Sequence, residues 1–458
     1  MKLFFLSSFL IPLQWIAGQS PLIYEKYFDL GLTEWTSDAI ATPTGGFLIL
    51  GTSVTEGTFL LNIDSTGKII WEKTYEGIGC YSITNCSTFG YLMAGFELIR
   101  IASDGSIIWE KTLDGIFGDY DPAYDIIKTA IPGDGGYILT GHNDWRAGLA
   151  KIDASGNLIW SQQYGNDIND RGYALIETAN YAYIMTGAAY HEEVNSNCGW
   201  GFHSNLFITK TDNEGNVIWS KEFGDEFDDA GVAITKCGNN DFIIAGYRDA
   251  SECSDVKAYL IRISNAGDVV WEKTYSGLGF ANSTSISPTW DGGFILTGST
   301  NGLDNPSSVY LYKIDADGNL LWEDYYGSDE ESDGGTVAIE TTDRNFFIAG
   351  AGRHEGSVSS DIYYLKVESY NSGTITVPAL DSVMVFPNPA STYINISTNN
   401  EIDDLIIRFF DSAGKRIGVY EMPHGKAIRI MTPITRGMLF YEIIVDEEVI
   451  AHGKLIVI

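Results

Sequence analysis

Short apolar runs, interrupted by glycine and polar turns, recur along most of the chain. In the recurring phrase two aliphatic residues precede a tryptophan, and a glycine lies four positions ahead of that tryptophan. The tryptophans are Trp71, Trp109, Trp160, Trp219, Trp271 and Trp322, and Tyr24 occupies the same place in a first copy of the phrase. Runs this short, rich in β-branched and aromatic residues, predict β-strands rather than helices.

A second marker is an apolar run that ends in glycine, at Gly51, Gly95, Gly141, Gly187, Gly246, Gly298 and Gly350. The interval from aromatic marker to glycine is 27 residues in four of the seven copies. The interval from glycine to the next tryptophan instead varies between 14 and 32 residues. A constant interval indicates a packed framework, and a variable one indicates loops at the surface.

Each repeat resolves into four predicted strands, which in the third repeat lie at 124–129, 136–141, 148–153 and 157–162. An Asp-x-x-Gly turn predicts a tight hairpin between the last two. Seven such repeats predict an all-β, seven-bladed β-propeller. A lone strand of the tryptophan type precedes the repeats, and the last repeat lacks one. We therefore expect the first strand to complete the last blade and remove the open sheet edge.

The tryptophan-bearing hairpins resemble the tryptophan-docking repeat of quinoprotein-type propellers, with a turn one residue shorter between Asp and Gly. The whole unit is similar to propeller repeats of exported proteins of Bacteroidota. This resemblance covers residues 22 to about 368 and implies a fold rather than an activity. Adjacent cysteines, a feature of the quinone-dependent dehydrogenases, are absent from the chain, so no quinone cofactor is implied.

The two ends of the chain differ from the repeats. Residues 1–18 have a basic start, an apolar core and a small-residue exit, which together predict a secretory signal peptide. We assign 19–368 to the propeller, 369–381 to a linker and 382–458 to a second domain. Alternating apolar runs broken by Gly, Asn and Pro predict that the second domain is a small Ig-like β-sandwich.

The second domain also carries a set of sequence motifs, formed by Pro387, Asn388, Pro389, Asp411, Gly414, Gly437, Gly453 and Lys454. In these motifs it closely resembles the type A C-terminal sorting domain of the type IX secretion system. That family usually has an aromatic residue two positions after the glycine that corresponds to Gly437, where this chain has Leu439. The resemblance implies passage through the outer membrane by the type IX machinery. Removal of the domain and release or surface attachment would follow.

Charge narrows the range of partners. The chain has 28 Lys and Arg against 61 Asp and Glu, a formal net charge of -33. A polyanion of this kind repels the phosphate backbone, so we expect no nucleic-acid partner. Apart from the predicted signal peptide, no apolar stretch is long enough for a transmembrane anchor. We expect a monomer that functions at the cell surface or outside the cell.

An acidic residue stands in register before the first strand of five repeats, at Glu34, Asp121, Asp170, Asp229 and Asp333, and Ala281 interrupts the series. Carboxylates that converged near the propeller axis could hold calcium, which prefers oxygen ligands. No other cofactor is indicated. A repeated aspartate in a loop more often caps backbone N–H groups, and this is the interpretation that we favour.

The longest loop, in the fourth repeat, contains His191, Cys198, Trp200 and His203. Imidazole and thiolate together suggest a transition-metal site. Cys253 lies in the equivalent loop of the next repeat, so a Cys198–Cys253 disulfide is the interpretation that we favour, and free thiols are the third alternative.

Loop aromatics offer a further kind of site. Trp145, Tyr190 and Trp200 could stack on sugar rings, although isolated aromatics more often serve packing.

The sequence contains no Gly-x-Ser-x-Gly, His-Glu-x-x-His or phosphate-loop motif. It therefore predicts a non-catalytic binding module for a glycan or a surface protein. Its ligand would contact the variable loops after Gly141, Gly187, Gly246, Gly298 and Gly350, which we expect on one face. One alternative is a polysaccharide hydrolase or lyase that uses acidic residues near the axis. Another is a structural spacer without a small ligand.

Overall fold

The structure is a computed structural model. It describes residues 22–29, 33–53, 57–77, 79–86, 89–117, 121–165, 169–192, 202–224, 227–249, 256–275, 280–301, 307–327, 332–353, 359–369, 374–377, 380–386, 393–410, 415–431, 437–445 and 448–457. The chain divides into two compact units, Met1–Val367 and Glu368–Ile458.

The repeats of the first unit form seven four-stranded antiparallel sheets, the blades of a propeller. The first described strand is β1 (Leu22–Phe28). Blade 1 contains β2 (Glu34–Ala41), β3 (Phe47–Ser53), β4 (Gly57–Ile63) and β5 (Ile69–Glu76). Blade 2 contains β6 (Cys80–Asn85), β7 (Tyr91–Gly95), β8 (Glu97–Ile101) and β9 (Ile107–Thr112). Blade 3 contains β10 (Ala123–Lys128), β11 (Tyr137–Asn143), β12 (Arg146–Ile152) and β13 (Leu158–Tyr164).

The remaining blades follow the same plan. Blade 4 contains β14 (Arg171–Glu177), β15 (Tyr183–Glu192), β16 (Phe202–Thr211) and β17 (Val217–Phe223). Blade 5 contains β18 (Asp229–Lys236), β19 (Phe242–Asp249), β20 (Val256–Ile263) and β21 (Val269–Tyr275). Blade 6 contains β22 (Phe280–Pro288), β23 (Phe294–Asn301), β24 (Ser307–Ile314) and β25 (Leu320–Tyr326). Blade 7 contains β26 (Gly334–Glu340), β27 (Phe346–Gly352) and β28 (Asp361–Val367).

The ring closes through the first strand of the chain. β1 pairs antiparallel with β28 and becomes the outermost strand of blade 7. The first strand of every blade contacts the first strands of its two neighbours, and β26 contacts β2. The predicted seven-bladed propeller and its closure are therefore confirmed.

The antiparallel order gives the propeller two distinct faces. The loop that enters a first strand lies beside the loop that joins the second and third strands; Cys80 at the start of β6, for example, is opposite Gly95 at the end of β7. We call this the loop face, and it includes the variable loops after the glycine markers. The turns between the first and second strands, and between the third and fourth, lie at the other end, which we call the turn face.

Neighbouring blades are joined by aromatic docking at the turn face. Gly156 adopts a φ of +75°, and a Cβ on it would lie 2.6 Å from the Cη2 atom of Trp109 in the preceding blade. The same relation connects Tyr24, Trp71, Trp160, Trp219 and Trp271 to the turn glycine of the blade that follows each of them, at Gly67, Gly105, Gly215, Gly267 and Gly318. Trp322 instead packs against Phe346 of blade 7. Each aromatic marker therefore stabilises the contact between two blades.

The second unit is a small β domain. Its strands are β29 (Thr374–Val377), β30 (Leu380–Phe386), β31 (Tyr393–Phe410), β32 (Arg416–Met431), β33 (Gly437–Val445) and β34 (Glu448–Val457). Pairing is continuous through one six-stranded sheet, because the long strand β31 pairs with β30 near its start, with β33 near its end and with β32 along its length. Ile407 and Phe409 are fully buried opposite Ile443 and Tyr441.

Helix is almost absent from the described part of the chain, where it amounts to one 3-10 turn at Gly238–Asn240. None of the described helices has the length and apolar character needed to cross a membrane.

Candidate functional site

Each first strand carries one β-bulge at the same position. In all seven blades one residue of the first strand is skipped in the pairing with the second strand. The skipped residues are Ser37, Tyr81, Tyr124, Tyr173, Val232, Thr284 and Thr336. A bulge re-aims its side chain, and the first strands are the innermost strands of the blades. All seven residues are half-buried, as expected of side chains that line the mouth of an axial channel.

Three of the seven bulge residues are tyrosines, and they lie in the consecutive blades 2, 3 and 4. The ring centroids of Tyr81 and Tyr124 are 5.9 Å apart, and those of Tyr124 and Tyr173 are 5.4 Å apart. We call these three residues the tyrosine arc. The other blades present Ser, Val or Thr, so one side of the axis is aromatic and the other is not.

Arg171, Tyr190 and Tyr247 extend the arc toward blades 4 and 5. Side-chain hydrogen bonds join Arg171 to Tyr173 and Tyr173 to Tyr190. The Arg171 guanidinium lies 6.0 Å from the ring centroid of Tyr190. Desolvation by burial, the main cause, raises the pKa of Tyr173 and of Tyr247 well above the usual tyrosine range. These hydroxyls therefore stay protonated and can both donate and accept hydrogen bonds.

Trp145 lies beside this cluster on an unusual turn. Asp144 and Trp145 are the two central residues of the hairpin between β11 and β12, with φ values of 49° and 68°. The Asp121 carboxylate accepts the Asp144 N–H at 2.6 Å. The Trp145 carbonyl accepts the N–H groups of Asn169 and Asp170 at 2.8 and 3.0 Å. The indole nevertheless is 64% exposed.

A polar groove lies on the other side of the same hairpin. This cavity of about 550 Å³ is bordered by the 115–117 segment, by the hairpin itself and by β13. Its side chains include Asn143, Arg146, Gln162 and Gln163. The Gln163 amide donates to the carbonyl and side-chain oxygens of Asn143, both at 3.2 Å. The groove thus presents amide and guanidinium groups next to an exposed indole.

The acidic residues predicted to stand before the first strands do not gather in one place. Asp121 binds His142 Nδ1 at 2.6 Å as well as the Asp144 N–H. Asp170 accepts the Tyr190 N–H at 2.8 Å, and Asp333 accepts the Arg353 N–H at 3.1 Å. Asp229 lies 3.4 Å from Arg248 Nε. These contacts are those of loop caps and local ion pairs.

Glu34, the fifth of these acids, belongs to a different group. Its carboxylate and those of Asp29 and Asp361 lie within 4.8 Å of one another, where β1, β2 and β28 meet at the ring closure. Among the described residues this is the one trio of His, Cys, Asp or Glu side chains with metal-ligand spacing. Asp121, Asp170, Asp229 and Asp333 are not part of it.

Two carboxylates on the axis share one hydroxyl. Asp38 in β2 and Asp125 in β10 each have a carboxylate oxygen 3.1 Å from Ser82 Oγ in β6. Asp38 also accepts the Ile83 N–H at 2.9 Å. Desolvation, opposed in part by these hydrogen bonds, raises the pKa of Asp38 to about 7. These contacts link the first strands of blades 1, 2 and 3.

The predicted loop of blade 4 is only partly described. His191 and His203 face each other across β15 and β16, with ring centroids 5.3 Å apart. Glu222 Oε2 lies 2.9 Å from His191 Nε2. Cys198, Trp200 and Cys253 lie outside the described residues, so the disulfide stays a prediction. Of the cysteines that are described, Cys80, Cys86 and Cys237 are free.

Sequence reasoning missed the tyrosine arc and Arg171. A signal was present, because five of the seven axial bulge residues lie three positions after an acid of the register: Tyr124 follows Asp121 at this interval, and Tyr173 follows Asp170. The register was interpreted through its carboxylates alone. Arg171, directly after Asp170, would have been found by the same alignment.

Comparison with known proteins bears mainly on the second unit. Residues 384–458 match the family model described as "Secretion system C-terminal sorting domain". The C-terminal unit is a type IX sorting domain. It is handled by the type IX machinery, which exports the protein across the outer membrane to the cell surface or extracellular space.

Within the sorting domain, only some residues of the predicted motifs are described. Gly437 begins β33, and Gly453 and Lys454 lie in β34. Pro387, Asn388, Pro389, Asp411 and Gly414 lie outside the described residues.

The propeller resembles solved structures only remotely. Drosophila Semaphorin 2a is 7% identical with a TM-score of 0.48, over 96% of this chain and 98% of that one. YCF48 bound to D1 peptide is 10% identical with a TM-score of 0.46, over 77% of this chain and 97% of that one. The propeller assignment rests on the strand pairing, to which these similarities add nothing. A search of curated proteins finds no significant match.

Proposed function

We propose that the propeller is a non-catalytic saccharide-binding module, which the sorting domain delivers to the cell surface or the medium. Binding takes place at the loop face around blades 3 and 4, to which Trp145, the polar groove and the tyrosine arc belong. Aromatic rings that stack on pyranose rings, with amides nearby for the hydroxyls, suit a saccharide.

The observation that carries this proposal is the conformation of Trp145. A left-handed backbone costs a residue with a side chain about 1–2 kcal/mol, and a two-residue hairpin of this kind favours Asn-Gly. An indole that is 64% exposed recovers little of that cost by burial. Three hydrogen bonds nevertheless hold the turn. Strain that is maintained in this way, at an exposed aromatic side chain, is typical of functional sites.

The alternative, a polysaccharide hydrolase or lyase, would need a pair of carboxylates close to this surface. Asp121 and Asp170, two acids close to the Trp145 hairpin, both accept backbone N–H groups. These bonds tie both carboxylates to the backbone of the loops. The contacts therefore support binding over catalysis.

Retention of the purified protein on an array of neutral and acidic oligosaccharides tests the proposal, with products read by mass spectrometry. We expect retention without cleavage, and a loss of about two- to tenfold in affinity for Trp145→Ala, since ring stacking contributes about 0.5–1.5 kcal/mol. Trp290→Ala is the matched control, because Trp290 is 76% exposed on the turn face.

Equal losses in the two variants, or no retention on any saccharide, would refute the saccharide site. Cleavage products would establish the enzymatic alternative.

Calcium binding stays a prediction. Calorimetric titration of calcium into the purified protein tests it, and Glu34→Gln distinguishes the trio at the ring closure from the other four carboxylates.

A further inference from the structure

Arg171 is set in a shell of tyrosines rather than carboxylates. Tyr124 and Tyr173 of the arc and Tyr190 of the neighbouring strand surround its guanidinium, and Tyr173 is hydrogen-bonded to it. Burial acts to lower the pKa of Arg171, but the three tyrosine hydroxyls outweigh it and raise the pKa. The guanidinium is therefore charged at every physiological pH.

The charge of Arg171 is not compensated by an ion pair among the described residues, whereas two other arginines of the propeller each lie beside an aspartate. Arg248 is 3.4 Å from Asp229, and Arg262 is 2.8 Å from Asp241. Arg171 forms no ion pair among the described residues, and its buried Nε atom has no hydrogen-bond partner there. A buried donor without a partner costs free energy, so a ligand that satisfies it gains correspondingly.

The described acids near Arg171 are bonded to other groups and form no ion pair with it. The Asp170 carboxylate accepts the Tyr190 N–H, and Asp121 is bonded to His142 and the Asp144 N–H. In a chain with a net charge of -33, an unpaired guanidinium in an aromatic recess is a local exception. Its chemistry matches a carboxylate, which a guanidinium can bind with two parallel hydrogen bonds.

The arginine and the exposed tryptophan belong to one surface. The Trp145 carbonyl accepts the N–H groups of Asn169 and Asp170, the two residues that directly precede Arg171. Asp170 in turn fixes the backbone of Tyr190. A ligand that stacks on Trp145 can therefore reach Arg171 and the tyrosine arc.

We propose that Arg171 binds the carboxylate of a uronic-acid unit in the saccharide whose neighbouring rings contact Trp145 and the tyrosine arc. This inference rests on the proposed saccharide-binding function and adds the ligand's charge. One unpaired cation matches one carboxylate, whereas a densely charged polyuronate would meet the negative charge of the whole protein. The ligand is therefore a mainly neutral chain that bears an isolated acidic sugar.

A peptide carboxyl terminus has the same charge but fits this surface less well. Such termini are bound by runs of free backbone N–H groups. Around Arg171 the N–H groups of Asn169, Asp170 and Tyr190 are already donated to Trp145 and Asp170. The surface around Arg171 therefore consists of ring faces and the guanidinium rather than of free backbone N–H groups.

The test uses the purified protein and pairs of oligosaccharides that differ only in one carboxylate, such as cellobiouronic acid against cellobiose, across an array of sugar types. Affinities are measured by calorimetry for the pairs that the array retains. We expect the acidic member of a pair to bind about tenfold more tightly, the effect of a charge-assisted hydrogen bond. Salt at 0.5 M should reduce this preference.

Arg171→Gln should bind both members of the pair equally, and Arg171→Lys should keep part of the preference. Arg248→Gln, on the same face but already paired with Asp229, is the matched control and should keep the full ratio. Melting temperatures of all three variants establish that they are folded.

Each other outcome has a distinct meaning. Equal affinity of the wild-type protein for both members would overturn the inference and leave saccharide binding intact. Binding to no saccharide would reject both proposals. A preference for peptides with a free C-terminal carboxylate over every saccharide would assign Arg171 to a protein ligand and overturn this inference.

Discussion

The two faces of the propeller follow opposite rules. On the turn face, the same Asp-x-x-Gly hairpin recurs: Asp64 accepts the N–H groups of Thr66 and Lys68 at 2.8 and 3.0 Å, and Asp153 binds its own turn in the same way. On the loop face, neighbouring blades differ in length and chemistry, and the tyrosines occupy only three of seven equivalent positions. The repeated hairpins of the turn face are those that pack between blades. The candidate site lies on the loop face, where the blades differ from one another.

The same backbone conformation has a different meaning on each face. Gly156 on the turn face and Trp145 on the loop face have φ values of +75° and 68°. Glycine adopts this conformation without strain, and its missing side chain makes room for an indole. Tryptophan adopts it at a cost and exposes its own indole. Strained residues occur on both faces, since Tyr181 and Arg344 on the turn face have φ values of 64° and 68°, but Trp145 combines the strained conformation with an exposed indole.

The largest effect on stability should come from the turn face. Gly156→Ala should lower the free energy of unfolding by about 3 kcal/mol, because it combines a strained φ with overlap between the new Cβ and Trp109. Gly133→Ala, at a φ of +82° with nothing within 4 Å, should cost only the strain, about 1 kcal/mol. Denaturant unfolding measures both. Equal losses would mean that docking does not stabilise the blade contact.

An aspartate near the axis and one on the turn face should change the stability of the protein in opposite directions as the pH rises. The folded-state pKa of Asp38 is raised to about 7, so its stabilising contribution is present at low pH and is lost as the pH rises from about 4 to 7. Asp38→Asn should remove this loss and stabilise the protein at pH 8 by about 2 kcal/mol.

The control for this pH effect is Asp64→Asn on the turn face. A hydrogen bond from Thr66, the largest cause, lowers the pKa of Asp64, so its contribution is lost as the pH falls. Melting curves from pH 4 to pH 8 separate the two variants. A loss of stability in Asp38→Asn at pH 8 would contradict the assigned direction.

Removing the backbone strain at Trp145 should raise the stability of the protein while weakening saccharide binding. Trp145→Gly should stabilise the protein by about 1 kcal/mol, because glycine adopts the left-handed conformation freely, and should weaken saccharide binding as much as Trp145→Ala does. Trp290→Gly on the turn face, whose residue has a negative φ, should destabilise by a similar amount without changing retention. If both variants lose stability, the conformation of Trp145 is not a source of strain.

The smallest expected difference in stability is between two variants that each lose a single tyrosine hydroxyl, one on each face. The Tyr164 hydroxyl donates to the Gly215 carbonyl at 2.7 Å and ties blade 3 to the turn of blade 4. Tyr164→Phe should cost about 1 kcal/mol, and Tyr81→Phe in the tyrosine arc less than about 0.5 kcal/mol. Thermal unfolding distinguishes these values, and a reversed order would weaken the division between the two faces.

Much of the fold could be predicted because it is periodic. The aromatic and glycine markers, the constant interval between them and the unmatched first strand were sufficient for seven blades and their closure, since both are properties of local pattern and count. The four strands predicted for blade 3 agree with β10–β13 to within a few residues. The sorting domain was recognisable from its motifs.

The candidate site depended on relations between blades, which no local pattern contains. Gly156 and Trp160 are close in sequence, yet the glycine packs on Trp109 of another blade. The acidic register was visible, but whether its members converge depends on the loops, and the structure placed only Glu34 in a group of acids. Trp145 was identified as a possible ligand contact, but its strained turn was not.

What the sequence determined by itself was therefore the repeat: strand number, blade number, closure and export. What only the tertiary structure decided was the arrangement around the axis, where bulges bring Tyr81, Tyr124 and Tyr173 together in a row and place Arg171 beside Tyr124 and Tyr173. The physical reason is that strand formation depends on the alternation of neighbouring side chains, whereas an axial site is made of residues that are distant in the chain. The packing of successive first strands around the axis brings them together.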